Sequence, residues 1–309
     1  MKAVSALIPS LHGGTRLVAL AEQLGGAGAE VLVADNGMSA EAVAETGRAG
    51  AAVFGMGANV GFARALNSLA AAARGRTLVV LNDDIEPEPG FLDALVDGVG
   101  RSGMASGVLL KAEQPRLIET AGIVVDRFLG SYDHLQDHDV TVLDGPVAAP
   151  LGPTGGAAAF DREVFDRAGG YDTGFFAYFE DVDLALRLRM AGERCALVPQ
   201  ARALHAVSST LGYDSVAKAA AVGASRGRLV RKYSLLHSPV GAGWILATET
   251  VTALELTRRH RSLAPARART QGFMACSDRL DRPDAALADV TLRDGLRRRY
   301  ARSLRMARP

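Results

Sequence analysis

The chain is 309 residues long, 48% hydrophobic and carries a formal net charge of +1, so it can bury one large core and shows no bulk charge for a nucleic-acid partner. Its two cysteines, Cys195 and Cys276, give neither a disulfide framework nor a zinc pattern and suit a reducing cytoplasm. No apolar run reaches the length of a membrane span, and Met1 leads directly into a strand-like run with one Lys, so neither a spanning helix nor a signal peptide is expected.

The first third of the chain alternates apolar runs with helical patterns. Residues 4–9 read as a strand, 15–24 as a helix, and 30–34 as a second strand ending in Asp35-Asn36-Gly37. A helix over 39–48 has Ser39 as its N-cap; a short strand covers 51–54, an Ala- and Leu-rich helix 61–73, and a strong strand 77–81. This rhythm predicts an α/β fold: a Rossmann-like, mainly parallel sheet flanked by helices. In such sheets ligands bind beyond the carboxyl ends of the strands. Pro9-Ser10, Asp35-Asn36 and Asn82-Asp83-Asp84 all fall at those ends.

Residues 126–153 read as a long irregular loop, the kind that is often functional in a compact domain. A small-residue strand is expected over 154–160, a short helix over 163–168, a helix over 179–191 stopped by Gly192, and a strand over 195–198 before Pro199. Helix is expected after His205 to about Leu236. Residues 239–256, interrupted by Glu249 and Glu255, read as a packed helix or one lying on a membrane surface. Residues 257–309 hold 14 Arg, no Lys and 5 Asp, a net +9 that leaves the remainder near −8. The chain therefore divides into a catalytic domain, 1–236, and a helical Arg-rich extension, 237–309. The extension could meet an anionic membrane surface or a neighbouring copy of the chain.

Three groups of residues could carry chemistry. Adjacent carboxylates at a strand end, as in Asn82-Asp83-Asp84, repel each other unless solvated or bound to a cation, and hard oxygens suit Mg²⁺ or Mn²⁺ held together with phosphates. An acidic turn capping the next helix is the alternative. In Phe175-Phe176-Ala177-Tyr178-Phe179-Glu180-Asp181-Val182-Asp183, aromatics surround three acids at a helix start. Desolvation would make those acids better bases; plain helix capping is the alternative. Asp183 and Arg187, four apart, can pair on one helix face, which leaves Glu180 and Asp181 for a site. The Gly57–Asn67 segment puts glycine before a helix but lacks the P-loop lysine, and no Gly-x-Gly-x-x-Gly follows the first strand. His134 and His138 lie in a segment without helical pattern, where an acceptor contact is more plausible than a metal.

With these motifs in order, the chain resembles the family 2 glycosyltransferases of the GT-A fold, in particular their bacterial rhamnosyltransferase-like branch, over roughly residues 3–235. The matching features are Val31–Gly37, Asn59-Val60-Gly61-Phe62-Ala63 with Asn67, Leu81–Asp84, Thr154–Ala157, Gly169–Asp172, Phe176–Leu184 and His205. The resemblance implies that Asp35 accepts the imide N–H of uracil or thymine, and that Pro9, Asn59, Gly61, Asn82 and Asp83 line the nucleotide. It makes Asp84 the principal metal ligand and His205, 24 residues after Asp181, a further one. Asp181 becomes the general base of an inverting transfer, and Gly155, Gly156, Ala157 and Glu180 border the acceptor. The implied substrates are a dTDP- or UDP-sugar, dTDP-rhamnose among them, and a glycan, lipid-linked or small-molecule acceptor. The expected location is the cytoplasm, with a peripheral place at the inner face of the membrane as the alternative. A Gln-x-x-Arg-Trp motif after Glu180-Asp181 is absent, which speaks against a processive synthase. A nucleotidyltransferase would need a basic Gly-rich loop after the first strand, where residues 8–16 carry no Lys. A non-catalytic sugar-nucleotide binder or scaffold is the remaining alternative.

Overall fold

The computed structural model describes residues 4–206 and 215–298. Its first half follows the alternation of the sequence. Strands β1 (Val4–Ser10), β2 (Glu30–Asp35), β3 (Ala52–Gly55) and β4 (Thr77–Leu81) pair in parallel in the order β3-β2-β1-β4. Helices α1 (Thr15–Gly26), α2 (Ala40–Arg48) and α3 (Phe62–Ala72) make the crossovers. Both faces of β1 and β4 are buried, so these strands read as continuous apolar runs. Ser39 caps α2 by accepting from Ala42 N at 3.1 Å.

Beyond β4 the sheet becomes mixed. After β5 (Ile85–Pro87) and α4 (Phe91–Ser102) come β6 (Gly103–Lys111), β7 (Gln114–Thr120) and a small hairpin, β8 (Ile123–Val125) with β9 (Ser131–Asp133). A 3₁₀ turn covers Val140–Asp144 inside the segment expected to be irregular. Strand β10 (Ala157–Asp161) enters antiparallel between β4 and β6. It is followed by α5 (Arg162–Arg167), α6 (Glu180–Met190) and β11 (Arg194–His205). The order continues β4-β10-β6-β11-β5, with β7 on β6.

Two boundaries differ from expectation. Thr154-Gly155-Gly156 is a turn and the strand starts at Ala157. β11 does not stop before Pro199: its register on β6 shifts between Leu197 and Arg202, and this irregularity absorbs the proline that lacks a ladder donor. His205 therefore ends a long strand, beside β5.

Helix α7 (Val216–Lys232) follows; residues 207–214 of the expected helix lie outside the described residues. Helices α8 (Pro239–His260) and α9 (Ala264–Ala275) come next, and residues 292–298 are helical. These helices share a core with the rest of the chain. Leu229, Val230, Tyr233 and Ile245 pack with Val182, Leu186, Phe175 and Phe128, and Trp244 stacks on Phe128 with ring centroids 5.8 Å apart. Buried Arg226 on α7 donates to the carbonyls of Leu129 and Phe128 and pairs with Glu249 of α8, which also pairs with Arg269 of α9. No described helix is long and apolar enough to cross a membrane.

Candidate active site

The carboxyl ends of β1, β2 and β4 and the N-termini of α3 and α6 meet on one side of the sheet. Asp35, at the end of β2, accepts from the amides of Gly37 and Met38 at 2.9 and 2.7 Å, which bends the chain away from the strand. Its neighbour Asn36 is buried and reaches across to the α3 loop, donating to Gly61 O at 3.4 Å and accepting from Val60 N at 3.3 Å. Asn59 accepts from Gly61 N at 3.0 Å, and Pro9 stands in register beside Ala34. Gly61 has φ +84, and a Cβ there would lie 2.3 Å from Phe176 O. Only glycine lets the backbone of the aromatic segment close on α3, where Phe62 N donates to Phe176 O at 2.8 Å.

That segment then makes an unusual turn. Tyr178 and Phe179 both have φ 66, a left-handed geometry costly for side chains of this size. It places Glu180 and Asp181 in the first turn of α6. Asp181 is partly buried and accepts from Val182 N at 2.8 Å and from Gly155 N at 3.3 Å. Burial raises its pKa above the ordinary carboxylate value against the pull of these amides. Glu180 is 5% exposed, and its Oε2 is buried without a hydrogen-bond partner among the described residues. Burial first, and then the neighbouring Asp181 charge, push its pKa well up. The Tyr171 hydroxyl is likewise buried and unpartnered among the described residues. Asp183 faces the opposite way, paired with Arg187 at 2.8 Å and Lys232 at 2.6 Å and accepting from the Tyr233 hydroxyl at 3.0 Å.

At the end of β4, Asp83 is mostly buried beside Ser10, whose hydroxyl donates to it; burial raises its pKa, and the adjacent Asp84 adds to the rise. Asp84 Oδ1 lies 3.1 Å from His205 Nε2, and Asn82 Nδ2 is 3.3 Å from the same nitrogen. His205 Nδ1 is 2.8 Å from Glu119 Oε2 on β7. Burial pulls the His205 pKa down, but the two flanking carboxylates outweigh it and lift it to about 10. A backbone chain joins the two acidic centres. Asn82 N donates to Gly156 O at 3.4 Å, and the preceding Gly155 N contacts Asp181. A Cβ on Gly156 would meet Leu109 at 2.9 Å and Asn82 Nδ2 at 3.0 Å, so glycine permits this approach. Ala157 follows as the first, fully buried residue of β10.

Among the described residues no group of three or more His, Cys, Asp and Glu side chains is arranged to hold a metal by itself. With the proton on His205 Nε2 displaced, the Asp84–His205 pair nevertheless fits a divalent cation. Its donor atoms stand at the ~3 Å spacing of adjacent ligands on an octahedral ion with ~2.1 Å bonds. Glu119 behind the imidazole is the outer partner that orients a ligating His. Such a cation takes its remaining ligands from phosphates and water. Glu119 was not legible in the sequence, because only the pairing of β7 and β11 with β6 brings it to His205. His134 and His138 do not form a ligand pair: His134 Nε2 lies 2.9 Å from Ala148 O and His138 Nδ1 3.2 Å from Gln136 O.

Residues 15–121 match the model of glycosyl transferase family 2. The chain is 33% identical over 172 residues to the O-antigen biosynthesis protein RfbC of Myxococcus xanthus, covering 50% of this chain and 13% of that protein. It is 30% identical over 158 residues to the N-acetylglucosaminyl-diphospho-decaprenol L-rhamnosyltransferase of Mycobacterium tuberculosis (strain CDC 1551 / Oshkosh), covering 47% of this chain and 51% of that one. The chain thus spans about half or less of the length of these curated relatives. Among solved structures, GalNAc-T7 with UDP, GalNAc and Mn²⁺ matches with a TM-score of 0.58 at 14% identity, covering 87% of this chain and 56% of that one. The mannosyltransferase PcManGT from Pyrobaculum calidifontis, with GDP-Man and Mn²⁺, matches with a TM-score of 0.54 at 19% identity, covering 97% and 80%. The fold is that of the GT-A glycosyltransferases.

Proposed function

We propose that this chain, which carries a rhamnosyltransferase-like glycosyl transferase family 2 domain, moves a sugar from a nucleoside-diphosphate donor to an acceptor hydroxyl with inversion at the anomeric carbon. The observation that supports this reading is the backbone link between its two acidic centres. The Asn82-to-Gly156 contact and the Gly155-to-Asp181 contact set one centre on each side of a single turn, as a displacement with an entering and a leaving oxygen requires.

Asp35 and Asn59, at the ends of β2 and of the α3 loop, hold the base, a uracil or thymine, with Pro9 and Gly61 completing the wall. Asn82 and Asp83 face the nucleotide. Asp84 and His205 hold Mg²⁺ or Mn²⁺, with Glu119 orienting the imidazole. When bound, the cation supplies electrostatic neutralisation of the diphosphate as it departs. Asp181 takes the proton from the acceptor hydroxyl as that oxygen forms its bond to the anomeric carbon and the diphosphate oxygen leaves. Its raised pKa suits a base better than an exposed carboxylate would. Gly155, Gly156, Ala157 and Glu180 border the acceptor. Segment 126–153 excludes water, which would otherwise hydrolyse the donor.

The names of the relatives favour L-rhamnose as the sugar and a polyprenyl-diphosphate-linked glycan as the acceptor; the donor we propose for it is dTDP-rhamnose. On this reading the chain works at the cytoplasmic face of a membrane. Thermal shift with a panel of nucleotide sugars, with Mg²⁺, Mn²⁺ or a chelator, tests the reading. Metal-dependent stabilisation by one diphosphate sugar, weakened in Asp84→Ala, is the expected result. No response to any nucleotide or metal would favour the scaffold reading instead.

A further inference from the structure

Helix α8 is amphipathic in the inverted sense. Its sole charge between residues 239 and 254 is Glu249, which turns inward to Arg226 and Arg269 and is only 14% exposed. Its outward face is apolar: Val240 is 78% exposed, Leu246 59%, Val251 54% and Leu254 65%. At ~100° per residue, Val240, Ala247, Val251 and Leu254 fall within an arc of about 60°, on a stripe about 21 Å long. A helix face turned to water normally carries charges, and this one carries none for four turns.

The stripe ends at exposed Glu255 and then at a cluster of arginines. Arg258, Arg261 and Arg267 are exposed and make no ion pair among the described residues. At the α8–α9 turn, Arg261 and Arg267 line an open hollow of about 620 Å³ together with Ser262, Leu263 and Gln271. Leu263, at its rim, is 54% exposed. Apolar stripe, basic end and hollow lie on two consecutive helices pinned to α7 by the buried Arg226–Glu249–Arg269 network.

We infer that the outer face of α8 with the α8–α9 turn is a docking surface for an anionic lipid bilayer. The apolar side chains enter the acyl boundary, and the arginines meet lipid phosphates, with the hollow receiving a headgroup. A second copy of the chain fits the stripe less well. In a two-fold contact through this face, Arg258, Arg261 and Arg267 of one copy would meet those of the other, whereas an anionic bilayer complements both features. The surface is argued without the chemistry of the active site; only its use, delivery of a lipid-linked acceptor, rests on the proposed function.

The test is vesicle flotation of the full chain with phosphatidylcholine alone and mixed with phosphatidylglycerol, alongside light scattering without lipid. Binding to the mixed vesicles, weak binding to the neutral ones, and a fall of about tenfold or more in Leu254→Glu or Val251→Glu are expected. Arg258→Gln and Arg261→Gln should each weaken binding about fivefold. All four variants should keep the parent's circular dichroism spectrum and unfolding midpoint, which reports that they fold. Failure to bind the mixed vesicles, or binding indifferent to Leu254→Glu, would overturn the inference. So would a lipid-independent dimer that the same substitution dissolves. Vesicle binding by a chain that ignores every nucleotide sugar would sink the transferase reading and leave this one standing.

Discussion

Asp181 is under two opposed pulls. Burial disfavours its charge, while the amides of Val182 and Gly155 favour it, and burial wins. With its pKa raised, Asp181 as the proposed base loses its proton at higher pH than an exposed aspartate does, so transfer should fall as pH drops through its titration. Asp181→Asn should lose about 10²–10⁴-fold in transfer, along with that limb of the pH profile, while donor-induced thermal stabilisation stays unchanged. In the proposed metal site Glu119 stands behind the ligand, 2.8 Å from His205 Nδ1. Glu119→Gln should raise the metal concentration needed for half-maximal donor stabilisation by about 10–100-fold. Asp172 works on stability instead. It is paired with Arg228 at 2.9 Å and Lys232 at 2.7 Å; burial opposes its charge, but these partners hold its pKa down at about 2 against an ordinary 3.8. A depressed folded-state pKa stabilises the fold above the unfolded value and is lost as pH falls toward about 2. Asp172→Asn should therefore cost about 2 kcal/mol or more in denaturant unfolding near pH 7, with the gap to the parent closing in acid.

Gly61 shows how a single backbone position couples elements. A methyl there collides with Phe176 O and must also adopt positive φ. Gly61→Ala should cost about 2 kcal/mol or more and loosen the segment that aims Asp181, so transfer should fall more steeply than stability alone explains. The parallel half of the sheet was legible because β1, β2 and β4 are apolar runs bounded by turn residues, with α1 and α3 between them at helical spacing. Asn82–Asp84 and Glu180–Asp181 were legible as acids at a strand end and a helix start. What was not legible depends on long-range pairing. β11 continues past Pro199 because its register on β6 can slip, and Glu119 meets His205 from 86 residues away. The left-handed Tyr178–Phe179 pair was also invisible, since aromatic residues carry no signal for positive φ. The sequence presents α8 as either packed or membrane-facing; the structure packs one face and leaves the other apolar and exposed.

Across the molecule, the Arg-rich extension is built into the same core that supports α6. Removing residues 237–309 would uncover Phe128, Leu229, Val230 and Tyr233 and strand Arg226 without Glu249. A buried charge that loses its partner costs about 3–5 kcal/mol. The truncated chain should aggregate or unfold cooperatively at lower temperature in calorimetry, and not survive as an active domain. Trp244 adds a practical consequence. It is the sole tryptophan of the chain, it sits on α8, and it stacks on Phe128 at the start of segment 126–153. The protein thus carries its own optical gauge: a single emission band, free of background from other indoles, that should shift or quench whenever that segment changes its seat on the helix.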